Sequence, residues 1–309
     1  MHDFITNNHN APCFEGWYYK MVTAAKDQCV VLIPGMSCPE SKQGNCFIQV
    51  GQWPDVGSTK VVTYPITTVW AEDEGQKICI GDSCFTPTNI SVDIKDGDKK
   101  VTGHVQFNNS STPKKHIMGP FQHMPKMQCS HSIISMDSEL SGQLIINDQV
   151  VDFTGGKGYI EKDWGKDFPK KHLWIQSNHF DKDIKSFTCA IADVPTPVGG
   201  MQGFFCILVT NDDKEHRFAT YNGGKVNVMA VKDHDIHVEI SGHGKRLRID
   251  AHGQDGVVLD APEQGDMVRK LTEKLGARVT VELWDSKTNT IIASGTGDMA
   301  GVEAEGIRQ

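Results

Sequence analysis

Ser91-Val-Asp-Ile-Lys-Asp-Gly-Asp-Lys-Lys-Val-Thr-Gly-His-Val-Gln-Phe107 decides the fold class. Apolar and polar residues alternate on both sides of Asp96-Gly97, which is the pattern of two half-buried strands joined by a tight turn. Outward from it the same pattern recurs, with turns at Asn147-Asp148 inside Gly142–Phe153, at Asn222-Gly223 inside Arg217–Met229, and at Gly242–Gly244 inside His237–Ala251. Short strands with turn signals roughly every ten residues point to sandwiches or barrels. The expected fold is therefore all-β with little helix. Only Glu263–Leu275 carries a helical spacing, with Met267, Leu271 and Leu275 four apart and Gly276 as a stop.

A chain of 309 residues has room for two cores, so two lobes are expected, 1–154 and 155–309. A faint echo supports them: Trp17-Tyr-Tyr-Lys-Met-Val-Thr runs toward Cys29-Val-Val-Leu-Ile, and Trp174-Ile-Gln-Ser-Asn-His-Phe toward Phe187-Thr-Cys-Ala-Ile. No Pro- or Ser-rich linker separates the halves, so they are expected to be packed together rather than tethered. The net charge of -8, without a basic stripe, argues against nucleic acid as a partner. Met1–Asn8 has no basic region followed by an apolar run, and no stretch approaches the ~18 apolar residues of a membrane span, so a soluble, cytoplasmic protein is expected. Nine cysteines, irregularly spaced and without a C-x-x-C pair, read as reduced thiols filling small core positions.

Three clusters carry chemistry. In Phe14-Glu-Gly-Trp-Tyr-Tyr-Lys20, an extended backbone puts Glu15, Trp17 and Tyr19 on one face and Phe14, Gly16, Tyr18 and Lys20 on the other. Either Glu15 is a carboxyl kept protonated among rings, or it pairs with a Lys or Arg beside a Trp that fills space. In Gly155-Gly-Lys-Gly-Tyr-Ile-Glu-Lys-Asp-Trp-Gly-Lys-Asp-Phe-Pro169, Glu161 and Asp163 point the same way and Lys162 the other. Two adjacent carboxylates do not both ionise cheaply, although Tyr159 and Trp164 with capped or paired acids would also suit a plain connection. Lys171-His-Leu-Trp-Ile-Gln-Ser-Asn-His-Phe180 sets His172, Trp174, Gln176 and Asn178 on one face, which suits an apolar cavity with a few orienting hydrogen bonds or a structural amide bridge. His131 precedes an apolar run and is a further candidate polar site residue. His234, His237 and His243 lie in a polar hairpin, so no metal is expected. Gly155–Gly158 is not followed by a helix, so no nucleotide cofactor is expected either.

Together, the Phe14–Lys20 cluster, the run from Gly158 to Asn178, Leu259-Asp-Ala-Pro262 and the closing Val281–Ser286 and Ser294–Glu303 segments resemble the tocopherol cyclase family, in the family's order and over nearly the whole chain. The resemblance implies two lipocalin-like antiparallel β-barrel lobes. It also implies closure of a chroman ring on a prenylated hydroquinone without a redox cofactor. A Brønsted acid would protonate the alkene of the tail, and the phenol oxygen would capture the tertiary cation. The pocket must be dry and lined with rings. On this reading Glu161 is the acid, Asp163 raises its proton affinity, and Glu15 is the alternative acid. Trp17, Trp164 and Trp174 face the cation, while Gln176 and Asn178 orient the phenol. Tyr19, His131, Tyr159 and His172 complete the lining. The plant motif has Asn in place of Asp163 and an aromatic residue in place of His172, so Asp163 is not an acid common to the family and this pocket is more polar. The implied partner is a small isoprenoid-type ligand, collected by transient contact with a membrane. A carrier that binds such a ligand without chemistry, and a structural β-protein whose acids pair with Lys20 and Lys162, are the rival readings.

Overall fold

The computed structural model of the chain describes residues 11–307 except 73–75, 98, 125–126, 197–198 and 254–255. Met1–Asn8, on which the expectation about targeting rests, lies outside the described residues. Among the described residues, twenty-two strands form two antiparallel sheets. The first holds β1 (Cys13–Val22), β2 (Cys29–Cys38), β3 (Asn45–Trp53), β4 (Lys60–Pro65), β5 (Val69–Glu72), β6 (Lys77–Ile80), β7 (Ser83–Phe85), β8 (Asn89–Asp96), β9 (Lys99–Ser111), β10 (Cys129–Ile146), β11 (Gln149–Asp152) and β12 (Lys157–Gly165). The second holds β13 (His172–Ser177), β14 (Ile184–Thr196), β15 (Gly199–Thr210), β16 (Glu215–Ala219), β17 (Lys225–Lys232), β18 (Asp235–Gly242), β19 (Lys245–His252), β20 (Val257–Glu263), β21 (Asp266–Asp285) and β22 (Thr290–Glu305).

The two sheets share one topology. Their orders are β4-β3-β2-β1-β12-β10-β9-β8-β7-β6-β5 and β16-β15-β14-β13-β22-β21-β19-β18-β17, with β11 and β20 attached to β10 and β21. In each, an aromatic first strand is central, meanders outward through three hairpin partners on one side, and receives the last strand on the other. The echo between Trp17 and Trp174 is thus an echo of position. Among the described residues neither sheet closes on itself, which corrects the expectation of closed barrels: β4 and β5, and likewise β16 and β17, remain the ends of open paths. Each sheet curls over one apolar cluster, the first centred on Trp17, Tyr19, Ile48, Phe85 and Phe107, the second on Ile175, Phe187, Cys206, Phe218 and Val281.

Two compact units follow, but they interleave along the chain. Unit 1 comprises 1–112, 129–168 and 258–270, and unit 2 comprises 113–128, 169–257 and 271–309. The boundary expected at 154/155 therefore falls inside unit 1, because β12 is hydrogen-bonded between β1 and β10. Residues 258–270 join unit 1 through local bonds: the Gln49 side chain donates to the Asp260 carbonyl at 2.9 Å and accepts from its N–H at 2.8 Å, and Ser37 Oγ donates to the Gly265 carbonyl at 2.7 Å.

Three turn readings hold, since β8–β9, β10–β11 and β18–β19 are hairpins, with Asn147 and Asp148 both at positive φ as a tight hairpin turn requires. The reading of Arg217–Met229 as a hairpin does not: β16 and β17 flank Asn222-Gly223 yet lie at opposite ends of the sheet order. Nor is there a helix over Glu263–Leu275, which is a turn at Gln264-Gly265 followed by the long strand β21. Cys79 and Cys84, directly opposite on β6 and β7, are joined in a disulfide, which corrects the expectation that all thiols are free. No helix among the described residues is long and apolar enough to cross a membrane.

Candidate active site

Strand alternation divides the Gly158–Pro169 motif between two faces of sheet 1. Ile160 belongs to the apolar cluster, and a Cβ on Gly158 would fall 2.5 Å from the Phe107 ring, so the even-numbered residues point inward. Tyr159, Glu161 and Asp163 point the other way, as the extended backbone predicts, and Lys162 is on the core face.

On the core face the Lys162 ammonium pairs with Glu15 and sits over the rings of Trp17, at 4.8 Å, and Trp164, at 5.2 Å. Both charges of the pair are buried. Glu15 thus stands in an ion pair with Lys162. Trp17 and Trp164 already face the protein's own cation, so they do not line the Glu161 face. Tyr19 is a core residue whose hydroxyl donates to the Thr86 carbonyl at 3.2 Å, and burial pushes that phenol well above its ordinary value.

The opposite face gathers a continuous set of proton-holding groups. Register puts Glu161 between Tyr18 on β1 and Ile133 on β10, and Asp163 between Gly16 and His131. The Tyr159 hydroxyl donates to Glu161 Oε2 at 2.5 Å. His131 Nδ1 lies 2.7 Å from Asp163 Oδ1, and its Nε2 lies 3.5 Å from Glu161 Oε2. Tyr18 packs edge-on to Tyr159, with centroids 6.3 Å apart, and Tyr18, Lys20, His131, Tyr159 and Glu161 are all buried. The neighbouring Cys129 thiol is pushed well above its ordinary value, first by burial and then by the charges of Asp163, Glu161 and Asp167. These surroundings penalise added negative charge. The donor atoms of His131, Glu161 and Asp163 lie within 4.8 Å of one another, so these three residues could also hold a cation. Asp163 is bonded to His131 and lies within 4.8 Å of the Glu161 carboxyl. Sequence reading named His131 but not its pairing, which depends on a register spanning 32 residues.

Unit 2 holds the remaining candidates. Leu173 and Ile175 enter its core, so His172, Trp174 and Gln176 share the other face. His172 is bonded through Nδ1 to the Pro169 carbonyl and through Nε2 to Glu303, each at 3.0 Å. Trp174, Gln176 and Asn178 are buried. Glu273, fully buried on β21, was missed because its segment reads as a helix.

The fold and this buried set define an all-β protein of two topologically alike units, with a carboxyl bonded to a phenol and, 3.5 Å from it, an imidazole bonded to a second carboxylate. The chain belongs to the tocopherol cyclase-like family, whose match covers residues 98–306. Among solved structures it is similar to CghA with Sch210972, at 10% identity and a TM-score of 0.62 over 95% of this chain and 88% of that one. It is also similar to kievitone hydratase from Nectria haematococca, at 10% identity and a TM-score of 0.53 over 95% of this chain and 89% of that one. At these identities the likeness is one of fold. No curated protein matches the chain.

Proposed function

We propose that the protein is an acid-catalysed cyclase acting on an isoprenoid-bearing phenol, with Glu161 as proton donor. The chain Tyr159–Glu161–His131–Asp163 carries this reading. Asp163 anchors His131 Nδ1 at 2.7 Å, so Nε2 faces Glu161 Oε2 at 3.5 Å and is placed to return a proton to that carboxyl. Glu161 gives its proton to the alkene and becomes a carboxylate; the tertiary cation forms a C–O bond with the phenol oxygen, and the phenolic proton returns to the carboxylate. Atoms balance as an isomerisation. Tyr18 and Tyr159 take the cation-facing role first expected of Trp17 and Trp164, since their rings flank Glu161. Gln176, Trp174, Asn178 and His172 belong to unit 2 and are proposed as ligand contacts of that unit by itself.

Protonation of an alkene is also the first half of a hydration, the reaction in the name of kievitone hydratase, in which water rather than phenol captures the cation. Incubation with a prenylated hydroquinone separates the readings. A cyclase gives a product of unchanged mass and altered retention, a hydratase gains one water, and a carrier returns its ligand intact. Glu161→Gln is expected to abolish conversion while leaving the circular dichroism spectrum unchanged; undiminished conversion would sink the assignment.

A further inference from the structure

We infer that unit 2 carries a binding site of its own for a flat ring bearing hydroxyl groups, built from Glu273, Gln176, Thr188, Ser186 and Trp174. It is argued on unit 2 by itself, and it rests on the proposed function only for the choice of probe. Four strands bring the set to one face. Phe187 and Cys189 enter the unit 2 core, so Ser186 and Thr188 face the other way, and Thr188 is the register partner of Gln176. Ala300 and Val302 are core residues, so Gly301 shares the face of Gln176, its register partner. Lys274 pairs with Val302, which puts the preceding Glu273 on the Gly301 side. The bare Cα of Gly301 lets the others meet: a Cβ there would lie 2.6 Å from Trp174 Cζ3 and 2.8 Å from Glu273 Oε1.

Gln176, Ser186, Thr188 and Glu273 are all 0% exposed. Ser186 Oγ and Thr188 Oγ1 have no hydrogen-bond partner among the described residues. Buried hydroxyls without partners cost free energy that a ligand group can recover. The chemistry of the set selects that ligand. Glu273 offers two acceptor oxygens, the set contains no Lys or Arg to hold an anion, and the hydroxyls and the Gln176 amide both donate and accept. A phenolic O–H matches all of these, while Trp174 and the buried Ile207, register partner of Thr188, supply apolar surface for its ring.

Isothermal titration of the full chain with decylhydroquinone and with its dimethyl ether tests this site. The saturated tail has no alkene to protonate, so the outcome is independent of acid chemistry at Glu161. The hydroquinone is expected to bind at least about ten-fold more tightly than the ether, and Thr188→Val and Glu273→Gln are each expected to weaken it about ten-fold without changing ether affinity. Equal affinity for the two probes, or no binding of either, would overturn the proposal. So would a Thr188→Val protein of parental melting temperature that keeps the full preference.

Discussion

His131 joins the two carboxylates of its cluster, and its two ring nitrogens do different work. Nδ1 lies 2.7 Å from Asp163 and Nε2 3.5 Å from Glu161 Oε2, and on the proposed reading the proton is held at Glu161. A general acid contributes roughly 10²–10⁴-fold to rate, so Glu161→Gln is expected to lower kcat by at least about 100-fold. Asp163→Asn frees the imidazole from its anchor and is expected to cost about ten-fold in kcat with a displaced pH profile, whereas a purely structural aspartate would leave the profile in place. A second histidine sets a pH dependence of stability. Burial, then the charges of Lys245 and Lys214, lower His216 from 6.5 to about 4. The folded state resists protonation that the unfolded chain accepts, so this contribution is complete above pH 6.5 and is lost as pH falls toward about 4. Urea unfolding across that window should show a decline in stability that His216→Asn flattens. At this scale the sequence showed which residues could carry a proton, because alternation fixes that Glu161 and Asp163 share a face. It did not show that His131 meets them or that Lys162 claims Glu15, because both depend on strand register.

At the scale of elements, β12 is the strand on which both faces of sheet 1 depend. Gly158 admits the Phe107 ring and the Leu140 side chain against its Cα. Gly158→Ala is expected to destabilise unit 1 by about 1–3 kcal/mol through overpacking, measured as a lower urea midpoint. On the same strand Lys162 neutralises Glu15 in a dry setting. Lys162→Met should cost about 3–5 kcal/mol by stranding a buried carboxylate, and adding Glu15→Gln should restore much of it; additive losses in the double-mutant cycle would contradict the pairing. The hairpins were legible because a two-residue turn is local chemistry. The segment 263–275 was misread for an equally physical reason: a spacing of four is also a multiple of two, so Leu271 and Leu275 fit one face of a strand as well as one face of a helix, and Glu273 stands between them on that face. Glu273 entered the candidate set only once β21 was recognised as a strand.

For the whole molecule, two units of one topology were legible as a faint repeat of aromatic first strands, while their boundaries were not, because β12 and residues 258–270 are claimed by hydrogen bonds from distant segments. The family follows from the match over 98–306, and the reaction is the claim that remains to be measured. Its most direct test is to run the intact protein with a prenylated hydroquinone in D2O and analyse the product by mass spectrometry and NMR. The cyclase account predicts a ring-closed isomer carrying one non-exchangeable deuterium on the carbon next to the new C–O bond. Recovery of unlabelled, unchanged hydroquinone, or of an open-chain product that has gained a molecule of water, would contradict it.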